Sequence, residues 1–236
     1  MTSSQQAHRA RYVQEMFGRI AGRYDLMNRL MTFGQDMRWR RFVVRQAELP
    51  PGGRLLDLAT GTGDIAFAAL QQAPGLRVVG VDFSLPMMQV GRQRRSGSAV
   101  LWCQGDALAL PFAEGTFDAV VSGYLLRNLV DLGQGLREQL RVVRPGGMVV
   151  ALDTTPPPRT LLRPLIIFHL RHVIPLLGRL VAGEPDAYAY LPDSTQAFKT
   201  PQELAAELRK AGLQDVAYRT FMLGTMAVHW GRRPLL

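Results

Sequence analysis

The sequence predicts an α/β protein: a mostly parallel sheet of seven strands with helices on both faces. Three observations predict it. From Arg54 onward, short apolar runs alternate four times with helical stretches, the pattern of parallel strands joined by crossover helices. A glycine turn, Gly61-Thr62-Gly63, stands where the first strand passes into the first of those helices. Asp57, Asp82, Asp106 and Ser122 fall at the ends of four successive strands. At about 150 residues per domain, 236 residues fit one large domain, 1–236.

Residues 5–49 read as helices forming an N-terminal lid, because Val13, Phe17, Ile20 and Tyr24 recur at helical spacing. The Pro50-Pro51-Gly52-Gly53 cluster ends that segment. The core, 54–153, then reads as a strand from Arg54 to Leu58, a helix from Asp64 to Gln72, and a strand from Arg77 to Val81 that ends at Asp82. A helix from Leu85 to Arg95 has Ser84 in the N-cap position. Strands from Ala99 to Cys103 and Phe117 to Ser122 follow, then a helix from Leu132 to Val143. A turn at Arg144-Pro145-Gly146-Gly147 leads into the fifth strand, Met148 to Leu152. Past Pro156-Pro157-Pro158, residues 156–199 read as an insertion, and 200–236 as the last helix and two strands. That helix opens on a capping box, with Thr200 as N-cap, Pro201 in the first turn and Glu203 reaching back. Gly212 ends it, and strands are expected from Asp215 to Phe221 and from Thr225 to Trp230.

Composition narrows the function classes. Hydrophobic residues at 47% and charged residues at 20% supply a sizeable core and exclude wholesale disorder. One cysteine, Cys103, excludes an internal disulfide framework and a cysteine-rich zinc site. The net charge is +9, yet only Lys199 and Lys210 are lysines, the arginines are scattered, and no basic run alternates with aromatics. Nucleic acid is therefore not expected as a partner. Met1 to Arg11 is polar and shows no secretory signal, so a cytoplasmic protein is expected, in contact with a membrane surface at most. The most apolar window, Leu161 to Ala182, holds three arginines, two histidines and two prolines. A spanning helix needs about 20 predominantly apolar residues. The stretch reads instead as an interfacial helix, a helical cap on the sheet or a homodimer face. No third ligand accompanies His169 and His172, so no metal site is expected.

The glycine loop is the first site candidate. Gly61 and Gly63 permit a tight turn and close approach of a ligand at the carboxyl end of a strand. The loop is flanked by Asp57 and Asp64, which disfavours a pyrophosphate and hence a nicotinamide cofactor. A cationic group is better served, and the sulfonium and amino groups of S-adenosylmethionine are cationic. Asp82, about 20 residues on, suits a ribose diol. Asp106 and Ala107 suit an adenine edge, and Ser122 completes the row.

Four stretches carry a resemblance that covers essentially the whole chain: Phe17 to Asn28 continuing through Met31-Thr32-Phe33-Gly34 to Trp39-Arg40; Asp57 to Asp64; Leu126-Arg127-Asn128-Leu129 with Asp131; and Arg141-Val142-Val143-Arg144-Pro145-Gly146-Gly147. Weaker matches are Tyr188-Ala189-Tyr190-Leu191 and Ala227-Val228-His229-Trp230-Gly231. Through them the chain resembles the Rossmann-like class I S-adenosylmethionine-dependent methyltransferases, and more narrowly the UbiE/MenG-type C-methyltransferases of ubiquinone and menaquinone biosynthesis. The resemblance implies S-adenosyl-L-methionine as cofactor, bound at Thr62, Asp82, Asp106, Ala107 and Ser122 together with the glycine loop. It implies methyl transfer to a ring carbon of a prenylated quinol. The alternatives are a related enzyme acting on another aromatic or secondary metabolite, and a catalytically silent cofactor-binding scaffold.

Two departures stand out. Tyr124-Leu125 replaces the family's Phe-Gly before Leu-Arg-Asn, and Leu152-Asp153-Thr154-Thr155 replaces Leu-Glu-Phe-Ser. Both lie where the acceptor is expected. Arg127 is the candidate to stabilise the phenolate of the acceptor, with Asn128 orienting the same oxygen. The competing reading pairs Arg127 with an aspartate such as Asp131. Tyr24 and Asp25 are expected to close over the cofactor, with Tyr124 on the acceptor side.

Overall fold

The structure is a computed structural model describing residues 13–182 and 192–235. The weaker family match at Tyr188 to Leu191 and the start of the predicted lid, 5–12, lie outside these residues. Seven strands form one sheet: β1 (Arg54–Leu58), β2 (Arg77–Asp82), β3 (Val100–Gln104), β4 (Phe117–Gly123), β5 (Val143–Thr154), β6 (Gln214–Phe221) and β7 (Met226–Arg232). Their order is β3-β2-β1-β4-β5-β7-β6. Pairing is parallel from β3 through β5, and β7 runs antiparallel between β5 and β6. The order reverses between β1 and β4, the crevice where open α/β sheets take their ligands.

The helices are α1 (13–20), α2 (Tyr24–Met31), α3 (Asp36–Gln46), α4 (Asp64–Gln72), α5 (Leu85–Gln93), α6 (Leu132–Val142), α7 (Arg163–Val181), α8 (192–196) and α9 (Pro201–Lys210). The period-two alternation of the strands divides the core. Leu55, Val78, Val121 and Val150 pack on α3 and α4, with Trp39, Val43, Ala66 and Ala69. Leu56, Val81, Val120 and Val149 face the other way, onto Leu136 of α6 and Leu204 and Leu208 of α9. A third cluster involves no strand: Met16 and Ile20 of α1, Met27 and Met31 of α2, and Ile166, Leu170 and Ile174 of α7.

Several expected boundaries move. Arg144 to Gly147 is not a turn before β5 but part of it: Phe117 pairs with Val143 and Ala119 with Met148, so the extra residues bulge within one continuous strand. The helix expected to reach Arg95 ends at Gln93. Ser84 is its N-cap by backbone conformation, but its hydroxyl makes no cap bond. The capping box of α9 forms as expected, with Glu203 N–H donating to Thr200 Oγ1 and Thr200 N–H donating to Glu203 Oε2.

α7 is a mixed helix. It turns π-helical at His169–Val173 and again from Gly178, with Pro175 in the short α segment between. Proline lacks the N–H that an α-turn requires and crowds the carbonyl four residues back, and a wider turn beside it relieves both. By length and composition α7 is apolar enough to cross a membrane, with a mean hydropathy of 1.4. Its inner residues nonetheless pack on α1 and α2.

Candidate active site

The glycine loop sits where β1 meets α4. Gly63 caps α4 at φ +86°, and a Cβ there would meet the Trp102 ring at 2.7 Å. Only glycine fits that conformation and that space. Asp57, near the end of β1, is buried and turned into the turn: its Oδ2 accepts from Thr60 Oγ1 at 2.8 Å and from Ala66 N–H at 3.0 Å. Its Oδ1 is buried without a partner. Burial pushes the Asp57 carboxyl up to about 7, against the pull of those two hydrogen bonds.

Asp82 closes β2. Its Oδ2 accepts from Gly61 N–H and its Oδ1 from Ser84 N–H, both at 2.8 Å, so it ties the glycine loop to the start of α5. Each carboxylate oxygen keeps a second lone pair for a ligand hydroxyl. Asp106 lies just past β3, exposed, with Oδ1 accepting from Leu108 N–H, and Ala107 is half-buried beside it. Ser122 lies in β4 with its hydroxyl buried and unpartnered. The four strands that carry these residues are neighbours in the sheet, β3-β2-β1-β4.

The sequence expectation treated Asp64 as an uncompensated charge. In the fold it pairs with Arg40 of α3 and with Arg94, whose Nη1 lies 2.5 Å from Asp64 Oδ1. Arg40 also holds Asp36 at 2.7 Å, and Arg94 reaches Asp25 at 3.1 Å and the Thr62 carbonyl at 3.2 Å. Asp25 in turn accepts from Thr62 Oγ1 at 2.6 Å. One ionic network thus links α2, α3 and Arg94, just beyond α5, to the loop. Asp64 therefore puts no uncompensated charge beside the loop, and Asp57, pushed up to about 7, carries less than a full one, so the loop repels a pyrophosphate less than its sequence suggests. Sequence reading missed Arg40 and Arg94. Their signal was present in basic residues interleaved with Asp25, Asp36 and Asp64, but without distances the pairs could not be chosen.

Two cavities meet at this end of the sheet. The first is a narrow cleft between the loop and β4, lined by Arg40, Asp57, Gly61, Thr62, Tyr24 and Tyr124 among others. The second holds about 720 Å³ and is mainly apolar, walled by Met16, Phe17 and Ile20 of α1, Met31 of α2 and Leu170 and Ile174 of α7. Tyr24 and Tyr124 line both. Tyr124 adopts φ +61°, strained for a bulky residue, with its N–H donating to Leu152 O at 2.7 Å. Burial raises both phenols above their ordinary range, opposed by the charges of Arg40 and Arg127, so both stay protonated at neutral pH.

Arg127 lines the large cavity. Its Nη1 lies 2.6 Å from Asp153 Oδ1, its N–H donates to Asp153 Oδ2 at 3.2 Å, and its guanidinium carbon lies 5.3 Å from the centre of the Tyr124 ring. Burial works against its charge, but the Asp153 carboxylate more than offsets that and keeps Arg127 cationic. Asp131, the partner weighed from sequence, instead caps α6 by accepting from Gln134 N–H. Asn128 lines neither cavity; its Nδ2 donates to Tyr124 O at 2.8 Å and braces the strained turn. The asparagine in the cavity wall is Asn28, buried one helical turn after Tyr24 and hydrogen-bonded to its phenol. Both sequence departures fall here: Tyr124 and Thr154 line the cavity, and Asp153 holds Arg127. Among the described residues no three His, Cys, Asp or Glu side chains gather as a metal site would need.

Of the residues expected at the cofactor, Asp57, Gly61 and Thr62 line the cleft, while Gly63, Asp82, Asp106, Ala107 and Ser122 stand outside its wall on the loop and the neighbouring strand ends. The glycines that admit a backbone approach, the Asp82 carboxylate at a strand end and the unpartnered Ser122 hydroxyl fit a nucleoside-bearing sulfonium. Comparison with known proteins agrees. Residues 2–233 match the model of the ubiE/COQ5 methyltransferase family. The chain is 52% identical over 219 residues to the ubiquinone/menaquinone biosynthesis C-methyltransferase UbiE of Desulfotalea psychrophila, covering 93% of this chain and 89% of that one. It is 44% identical to the demethylmenaquinone methyltransferase of Roseiflexus castenholzii, over 94% of each. Among solved structures, a Haloferax volcanii methyltransferase in complex with the Trm112 activator aligns with a TM-score of 0.66 at 18% identity, over 92% of this chain and 97% of that one. Haemonchus contortus phosphoethanolamine N-methyltransferase 2, solved with S-adenosyl-L-methionine, aligns with a TM-score of 0.61 at 16% identity, over 84% of this chain and 52% of that one.

Proposed function

The chain belongs to the ubiE/COQ5 methyltransferase family, whose members use S-adenosyl-L-methionine, and from that premise we propose that it methylates a ring carbon of a prenylated hydroquinone in menaquinone or ubiquinone biosynthesis. The observation that carries the reading is the meeting of a small, half-polar cleft and a large, mainly apolar cavity across Tyr24 and Tyr124, with one buried cation, Arg127, in the wall of the apolar one. The names of the relatives supply the acceptor class.

When bound, the cofactor supplies an electrophilic methyl group on sulfur. Gly61, Thr62 and Gly63 would approach it through the backbone, Asp82 would hold the ribose diol, Asp106 and Ala107 the adenine, and Ser122 would complete the wall. Arg127, kept charged by Asp153, stabilises the acceptor's phenolate, which makes the adjacent ring carbon nucleophilic. Methyl transfer to that carbon would leave S-adenosylhomocysteine, and the hydrogen displaced from the ring would leave as a proton to water. Tyr24 and Tyr124 hold the ring in line and exclude water. Alignment of this kind supplies about 7–11 kcal/mol in the best-oriented systems. Asp25, bonded to Thr62, closes α2 over the cofactor.

The outer face of α7 completes the proposal as a contact with an anionic membrane surface. Leu165, Phe168, Leu176 and Leu180 are exposed there, Leu165 and Phe168 also line the cavity, and residues 156–182 carry arginines without any acidic residue. A polyprenyl tail would pass between lipid and cavity at this edge.

Labelled S-adenosylmethionine offered with short-tailed naphthohydroquinone and benzohydroquinone acceptors under reducing conditions tests the reaction. Label on a ring carbon is the expected result, and binding of cofactor with transfer to neither ring would overturn it. Flotation with anionic but not neutral vesicles, lost in Leu165→Ser/Phe168→Ser, tests the surface; self-association through α7 without flotation would make it a dimer face.

A further inference from the structure

The cavity wall contains a polar atom that the proposed methyl transfer does not use. His169 lines the cavity from α7, and its Nε2 is buried with no hydrogen-bond partner. Burial holds the imidazole below its ordinary pKa, so the ring is neutral and can exchange a hydrogen bond with a hydroxyl. Its plane is set by stacking on Phe33, with centroids 6.2 Å apart and 29° between planes. His169 is also the first residue of the π-helical stretch of α7. π-turns are uncommon and concentrate at functional sites, since the extra residue turns a side chain out of the α-helical register. A buried polar atom left open in an apolar wall, on such a turn, is what a ligand would complete.

Its place in the cavity gives the ligand's chemistry. Tyr24, Tyr124 and Arg127 form a polar group at the end shared with, or adjoining, the glycine-loop cleft. No residue of α7 lines that cleft, and the neighbours of His169 on α7, Leu165 and Phe168, are exposed. His169 therefore belongs to the outer part of the cavity, away from the cofactor. Resting on the reading of an aromatic acceptor, we propose that His169 Nε2 binds the second ring hydroxyl of a 1,4-dihydroxy aromatic whose first hydroxyl faces Arg127. The site selects a hydroquinone over a monophenol of the same shape.

Calorimetry on the full chain, with S-adenosylhomocysteine present and under reducing conditions, tests this without needing turnover. The probes are a short-prenyl 1,4-naphthohydroquinone and the 1-naphthol that keeps the hydroxyl beside the reacting carbon and lacks the one para to it. Wild type should bind the diol about tenfold tighter, the scale of one hydrogen bond to a buried group. His169→Phe, which keeps the stacking on Phe33, should abolish that preference and leave the naphthol affinity unchanged; His169→Gln should keep part of it. Equal affinities in wild type, binding of neither probe, or a loss in His169→Phe that falls on both alike would overturn the assignment. A diol preference that depends on His169, without methyl transfer to the diol, would sustain this site and sink the reaction proposed above.

Discussion

The two cavities that share Tyr24 and Tyr124 are built by different means. The cleft is made of strand ends and a glycine turn, its polar groups are tied to backbone amides, and its charges are cross-linked by Arg40 and Arg94. The large cavity lies between three helices that pack on one another and the sheet end at Tyr124, Arg127 and Thr154, and its wall leaves His169 Nε2 unsatisfied. A site for an invariant ligand can be fixed by the regular hydrogen-bonding frame of the sheet. A site for an apolar acceptor needs volume more than direction, and helices packed by side chains alone can supply and adjust it.

The sharpest way to break the division is at Arg127. Arg127→Met alone strands Asp153 as a buried, unpaired charge, so the informative variant is Arg127→Met/Asp153→Asn. Turnover should fall by about 10²–10³-fold, as when one stabiliser of a developing anion is removed, while the calorimetric affinity for cofactor stays near wild type. Equal loss of both would make Arg127 a support of the fold and would join the two sites into one.

Asp57 tests the cleft through pH. Its carboxyl titrates at about 7 in the fold, against about 3.9 in an unfolded chain. Between those values the native state holds a proton that the unfolded state has released, so stability is fully present at the acidic end and declines as pH rises through that window. Each unit of elevation corresponds to about 1.4 kcal/mol, so the decline is on the order of a few kcal/mol. Asp57→Asn, which still accepts from Thr60 and Ala66, should remove this component from urea-denaturation curves taken across the window. An unaltered slope would place the titration elsewhere.

Asp82→Asn should weaken cofactor binding by about 1–3 kcal/mol, the range for a charge-assisted bond, and leave the affinity for acceptor untouched. An unchanged dissociation constant would remove the ribose assignment. Thr200→Ala, at the capping box of α9, should lower stability by about 1 kcal/mol and alter neither affinity, which makes it the control for effects transmitted through the fold.

The same division governs what the sequence disclosed. Strand ends and the glycine turn are local features, and Asp57, Asp82 and Ser122 stand on neighbouring strands as their spacing implied. The cavity joins α1 and α2 to α7 across more than a hundred positions of chain, and no local pattern encodes that meeting. Arg127 shows the limit in one residue. Its type and motif were legible, but the nearest acid in sequence, Asp131, was the wrong partner, because β5 brings Asp153 alongside. Gly146 and Gly147 misled in the opposite direction: their turn chemistry is real but is used for a bulge inside a strand.

Two side chains make the shared wall. Tyr24 and Tyr124 are the described residues that touch both chambers, so selection for a new acceptor can work on α7 and on α1 while the cofactor's contacts go unread. Substitutions at the two tyrosines are the exception, since each would be felt on both sides at once. Lineages that exchange one hydroquinone ring for another are therefore expected to vary along α7 outside His169 and to hold positions 24 and 124 to a planar, bulky side chain.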